Sequence, residues 1–112
     1  MTDPGPDATL AALARAAQQR AYAPYVGPAE GAAVRDVDGR TYVAATVEHA
    51  DADLTTSALR AAVVAAVSSG ARKFESAVLV TSTGTRDADV ALLREFGPDV
   101  VVHVVGLGAE LA

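Results

Sequence analysis

Cysteine is absent from the 112 residues, which removes disulfides, a thiolate zinc site and a thiol nucleophile. Positive charge is scarce: nine Lys and Arg stand against fourteen Asp and Glu, for a net charge of −5. That balance argues against a surface built to neutralise nucleic-acid phosphates. Only two histidines are present, His49 and His103, too far apart in the chain to form a metal-ligand pair by spacing. The first residues are polar and carry Pro and Gly, without a basic region preceding an apolar one, so no secretory leader is expected. No apolar run reaches membrane-spanning length. No internal repeat is visible. The expectation is a cytoplasmic protein without membrane or nucleic-acid partners.

Just over half of the residues (51%) are hydrophobic and 21% are charged, which is the composition of a folded chain. The length suits one core. Residues 1–7, with two prolines and a glycine, read as a loose tail, and residues 8–112 as a single domain. The organising stretch is Asp53-Leu54-Thr55-Thr56-Ser57-Ala58-Leu59-Arg60. Its Asp, Thr and Ser side chains are suited to accept the free N–H groups of a first helical turn, so Thr55, Thr56 and Ser57 read as capping residues. A helix from Ser57 to Val67 follows, closed by Ser68, Ser69 and Gly70. It is apolar on nearly every face, which predicts a central, buried element.

Around it, apolar residues at helical spacing predict a helix over Ala8–Tyr22, stopped by Pro24. Strands are expected at Gly31–Asp36 and Thr41–Val47, joined by a hairpin at Asp38-Gly39. A buried strand is expected within Lys73–Ser82, then a short helix capped by Asp87 and ended by Gly97-Pro98. A final strand is expected at Val100–Val105. Strands alternating with helices in the second half imply parallel pairing and an α/β fold, a mixed sheet flanked by helices.

Four segments occur in an order that resembles the small zinc-dependent cytidine deaminases. They are Ala21-Tyr22-Ala23-Pro24-Tyr25 with Gly31-Ala32-Ala33, Asp38-Gly39-Arg40-Thr41-Tyr42 with Val47-Glu48, Leu54-Thr55 with Ala58 to Ala61, and Leu93-Arg94-Glu95-Phe96. The resemblance spans about residues 10–105 and implies that family's three-layer fold and self-association as a dimer or tetramer. It also implies a site in which three thiolates hold zinc and a Glu shuttles the proton. At the implied ligand positions this chain has Ser57, Arg86 and Asp89, and at the proton-shuttle position Leu59. An Arg cannot ligate zinc and a Leu cannot move a proton. The reading is therefore a catalytically silent member, a pseudoenzyme with a structural, regulatory or ligand-binding role, with no catalytic residue, metal or cofactor assigned.

The same resemblance places Thr46 where an Asn would hold a ribose and Glu48 at the accompanying carboxylate, so both are candidate substrate-binding residues. The competing reading of Glu48 is a solvated carboxylate at a strand end. Val26, Pro28 and Glu30 replace the implied Ser, the stacking Phe and a Val. Arg60 would lie beside the implied ligands. Asp89 then either pairs with Arg60 or Arg86 and fills the old metal position, or the two arginines leave an anion pocket. Two alternatives stand beside the silent reading: a nucleoside or small-molecule binder using the remnant cleft, and an atypical hydrolase working through Ser57, Glu48 and His49.

Overall fold

A computed structural model describes residues 5–107. Residues 1–4 of the expected tail and residues 108–112 of the expected domain lie outside the described residues. The elements run α1 (Ala8–Gln18), β1 (Gly31–Asp36), β2 (Thr41–Ala45), a 3-10 turn (Ala52–Leu54), α2 (Ala58–Ser68), β3 (Phe74–Thr81), α3 (Asp87–Arg94) and β4 (Val102–Gly106). Asp7, assigned to the tail by its composition, instead caps α1, its side chain accepting the Leu10 N–H at 2.9 Å.

The four strands form one sheet in the order β2-β1-β3-β4. The hairpin β1–β2 and the pair β1–β3 are antiparallel, and β3–β4 is parallel. This is the mixed sheet expected, because the α3 crossover returns the chain to run alongside β3 in the same direction. Alternate residues of each strand face opposite layers. Ala33, Val78, Val80 and Val105 pack under Leu10, Ala11 and Ala14 of α1. Ala32, Val34, Ala77 and Leu79 pack on the other face against Leu59, Ala62 and Val63 of α2 and Leu93 of α3. The result is three layers: one helix, the sheet, and a pair of helices.

Four expectations need correction. Helix α2 is not buried all round: Ala58, Leu59, Ala62, Val63 and Ala66 face the sheet, while Val64 remains 52% exposed. An outer-layer helix has one sheet to pack against, so spacing decides which stripe is buried, however apolar the rest. Helix α1 stops at Gln18 and β2 at Ala45, short of Tyr22 and Val47. Those two residues pair with each other instead, and Val47 pairs further with Thr56, which ties the segment before α2 to the sheet edge. Finally, β4 starts at Val102, because the Val100 N–H donates back to the Gly97 carbonyl in a turn.

Candidate functional site

The first turns of α2 and α3, the end of β3 and the residues leading into β1 meet at one end of the sheet. Antiparallel register sets this: Gly31 lies opposite Val80, so Glu30 arrives beside Thr81. Glu30 is fully buried. Its Oε2 accepts the Thr81 hydroxyl at 2.5 Å and its Oε1 accepts from Arg86 Nη1 at 2.9 Å. The Thr81 oxygen in turn accepts the Thr83 N–H at 3.1 Å, which fixes the chain as it leaves β3.

Asp89, in the first turn of α3, is also buried. Its Oδ2 accepts the Ser57 hydroxyl at 2.6 Å and lies 3.9 Å from Arg86 Nη1, while its Oδ1 lies 3.7 Å from Arg60 Nε. A carboxylate in the first turn also complements the partial positive charge of the helix start. The three positions that the sequence resemblance assigned to metal ligands, Ser57, Arg86 and Asp89, therefore do converge. Pairing of Asp89 with both arginines is present in the structure.

This arrangement changes the local expectations for the helix starts. Ser57 occupies the cap position of α2 but makes no capping hydrogen bond; its side chain is turned toward Asp89, to which the hydroxyl donates. Thr55 accepts the His49 N–H at 3.0 Å and so stabilises the loop before the helix rather than its first turn. Residue Arg86, not Asp87, holds the cap position of α3. Leu59, at the implied proton-shuttle position, is 1% exposed within the core under the sheet.

Glu48 is not a solvated strand-end carboxylate. It is buried, its Oε1 accepting the Tyr25 N–H at 2.7 Å and its Oε2 those of Val26 at 3.0 Å and Gly27 at 2.6 Å. Burial alone would raise the Glu48 carboxyl, but the N–H groups of Tyr25, Gly27 and Val26 together hold it below its usual range. This stability is present above an unfolded value of about pH 4.3 and is lost as pH falls through the lower folded value. Glu48→Gln is thus expected to melt earlier than the parent at neutral pH, with the gap closing as the pH falls below about 4.3. Melting curves across that range check this, and a constant gap would show that the ionised form does not hold the loop.

Between these groups lies a cavity of about 290 Å³, lined by Thr46, Thr55, Ser57, Arg60, Arg86 and Asp89, with Gly27, Pro28, Ala52 and Ala88 completing its wall. Thr46 is buried, and its hydroxyl oxygen accepts the Glu30 N–H at 3.1 Å. Glu48 stands behind this cavity, supporting the Gly27 wall. The hydrogen bonds place Ser57 with Asp89, Glu48 with the Tyr25–Gly27 loop and the backbone of exposed His49 with Thr55, so they do not assemble the Ser57–Glu48–His49 set among the described residues. A larger hollow, about 470 Å³, lies around the start of β3 and the turn after α3, where Arg72, Lys73, Glu75, Glu95 and Asp99 mix both signs of charge.

Glu30 was the residue missed from sequence. Its only trace there was a charge at a position where the family pattern has Val, immediately before the apolar β1. No helix among the described residues is long and apolar enough to cross a membrane.

Comparison with known proteins agrees with this architecture. Residues 4–109 match the family model described as cytidine deaminase-like. No curated protein matches the chain significantly. The solved structure of cytidine deaminase from Burkholderia pseudomallei superposes with a TM-score of 0.83 at 30% identity, over 90% of this chain and 85% of that one. That of cytidine deaminase from Mycobacterium tuberculosis gives 0.78 at 28% identity, over 92% and 91%. The Mycobacterium leprae cytidine deaminase gives 0.77 at 28%, over 84% and 83%.

Proposed function

Because the chain belongs to the cytidine deaminase-like family, we propose that it is a member in which an ion-pair network has replaced the metal centre, leaving a small-molecule-binding or regulatory role without deamination. The observation that carries this reading is the position of Arg86. Its guanidinium bonds to buried Glu30 and lies beside Asp89, at the site where the family's chemistry would require a metal ligand. A guanidinium has no lone pair to offer a metal and carries a permanent positive charge.

The remaining donors do not fit zinc either. Ser57 offers a neutral hydroxyl already bonded to Asp89, both Asp89 oxygens face cationic or hydroxyl donors, and the Glu30 carboxylate is taken up by Arg86 and Thr81. No group of three His, Cys, Asp or Glu capable of holding a metal occurs among the described residues. A catalytic zinc needs three such ligands to lower the pKa of its water. Leu59 is packed in the core, so no carboxylate reaches the site from the proton-shuttle position.

In this reading Glu48 organises the Tyr25–Gly27 wall and Thr46 offers its hydroxyl to whatever occupies the cavity. Self-association as a dimer or tetramer also belongs to the proposal, supported by the exposed apolar side of α2 around Val64. The decisive experiment is elemental analysis of untagged protein together with a cytidine-to-uridine assay in added zinc. The expected result is zinc far below one per chain and no turnover. Stoichiometric zinc or measurable uridine would overturn the reading and restore the deaminase.

A further inference from the structure

We propose that the cavity between the starts of α2 and α3 binds a small organic oxyanion, a phosphate ester or polycarboxylate, rather than a neutral nucleoside. The inference rests on the preceding reading, since it requires the ion-pair network in place of a metal.

The argument is the sign of the lining. The four charges of the network sum to zero, yet they are layered. Glu30 and Asp89 have side chains 0% and 6% exposed, whereas Arg86 and Arg60 are 44% and 51% exposed. Arg60, Arg86 and Asp89 line the cavity, with both guanidinium groups more exposed than the Asp89 carboxylate, and Glu30 lies outside the lining. Desolvated charge is screened least where it is buried, so Glu30 and Asp89 hold the arginines in place while the outer guanidinium edges meet the ligand.

The hydrogen-bonding capacity points the same way. Thr46 and Thr55 each use their hydroxyl oxygen to accept a backbone N–H, from Glu30 and His49, which leaves each hydroxyl proton for a further acceptor. Arg60 makes one long contact, to Asp89, and no side-chain hydrogen bond among the described residues. Of the Asp89 carboxylate, Oδ2 accepts the Ser57 hydroxyl and Oδ1 faces Arg60. The lining is thus rich in donors and short of free acceptors. A neutral base or sugar presents donors and acceptors in similar number, while a phosphate or carboxylate presents acceptors alone and pairs with guanidinium through charge-assisted bonds. At about 290 Å³ the cavity is small for a ligand site and suits a sugar phosphate or a tricarboxylate.

Titration calorimetry at low salt tests this with ribose 5-phosphate, citrate and cytidine on the full-length protein and on Arg60→Gln. Arg60 is chosen because it is half-exposed with one weak ion pair, so its loss should leave the melting temperature unchanged. The expected result is saturable binding of ribose 5-phosphate or citrate, the tighter of the two identifying the anion, with cytidine at least about tenfold weaker. Binding should weaken with added salt and fall about tenfold in Arg60→Gln. No saturation by either anion at about 10 mM, equal binding by cytidine, or unchanged binding in Arg60→Gln would overturn the proposal. Zinc content and turnover are read separately. Failed anion binding with no zinc would therefore sink this inference alone, whereas bound zinc would sink the reading beneath it.

Discussion

Arg86→Ala is expected to destabilise the protein by about 3 kcal/mol, near the lower end of what removing one partner of a buried ion pair costs. The substitution leaves Glu30, fully buried, with the Thr81 hydroxyl but no cation. Arg86 itself is 44% exposed, so water offsets part of its own desolvation and the loss falls mainly on Glu30. For a domain of this size the fall in melting temperature is on the order of 10–20 °C. Adding Glu30→Gln to the same chain is expected to recover part of the loss, because a buried amide costs less than an unpaired carboxylate. Thermal and urea unfolding of the two single variants and the double variant check this as a cycle. If Arg86→Ala melts with the parent protein, Glu30 and Arg86 do not hold the start of α3 to the sheet.

Gly31→Ala should be at least as damaging, by a purely steric route. A Cβ on Gly31 would lie 2.7 Å from the Gln18 Cα and closer still to the Ala14 carbonyl and the Gln18 N–H. All of these belong to the backbone of α1 and cannot rotate away. Overpacking against side chains costs about 1–3 kcal/mol, and against a rigid helix backbone the expected cost is about 3 kcal/mol or more. The helix must lift from the sheet, so the Leu10, Ala14 and Ala33 packing loosens together. The signature would be a lowered melting temperature with amide exchange quickened across α1. A loss below about 1 kcal/mol would mean that α1 shifts freely over β1.

Much of the fold could be read without coordinates because its signals are local. The Asp38-Gly39 turn between apolar runs announced the β1–β2 hairpin, and Gly39 adopts the left-handed φ of +89° that such a turn favours. A helical segment between two apolar runs announced the parallel pairing of β3 and β4. The four ordered segments located Ser57, Arg86 and Asp89 at one place, and Asp89 does pair with both arginines. What could not be read was anything decided by competition for a partner. The Ser57 side chain could turn to accept from the first turn of α2 or turn to donate to Asp89, 32 residues away, and it turns to Asp89. Glu48 could face water or gather three N–H groups of the Tyr25–Gly27 loop, and gathers them.

The sequence by itself determined the order of helices and strands and the side chains available at the site. These follow from periodicity, turn chemistry and residue type, which act over a few neighbours. Tertiary structure alone decided that Glu30 and Arg86, 56 residues apart, become partners. It also decided that α2 buries one face and leaves Val64 exposed. The reason is geometric. A charge-assisted hydrogen bond needs its atoms within about 3 Å, and the register of β1 on β3 supplies that closeness where chain order cannot.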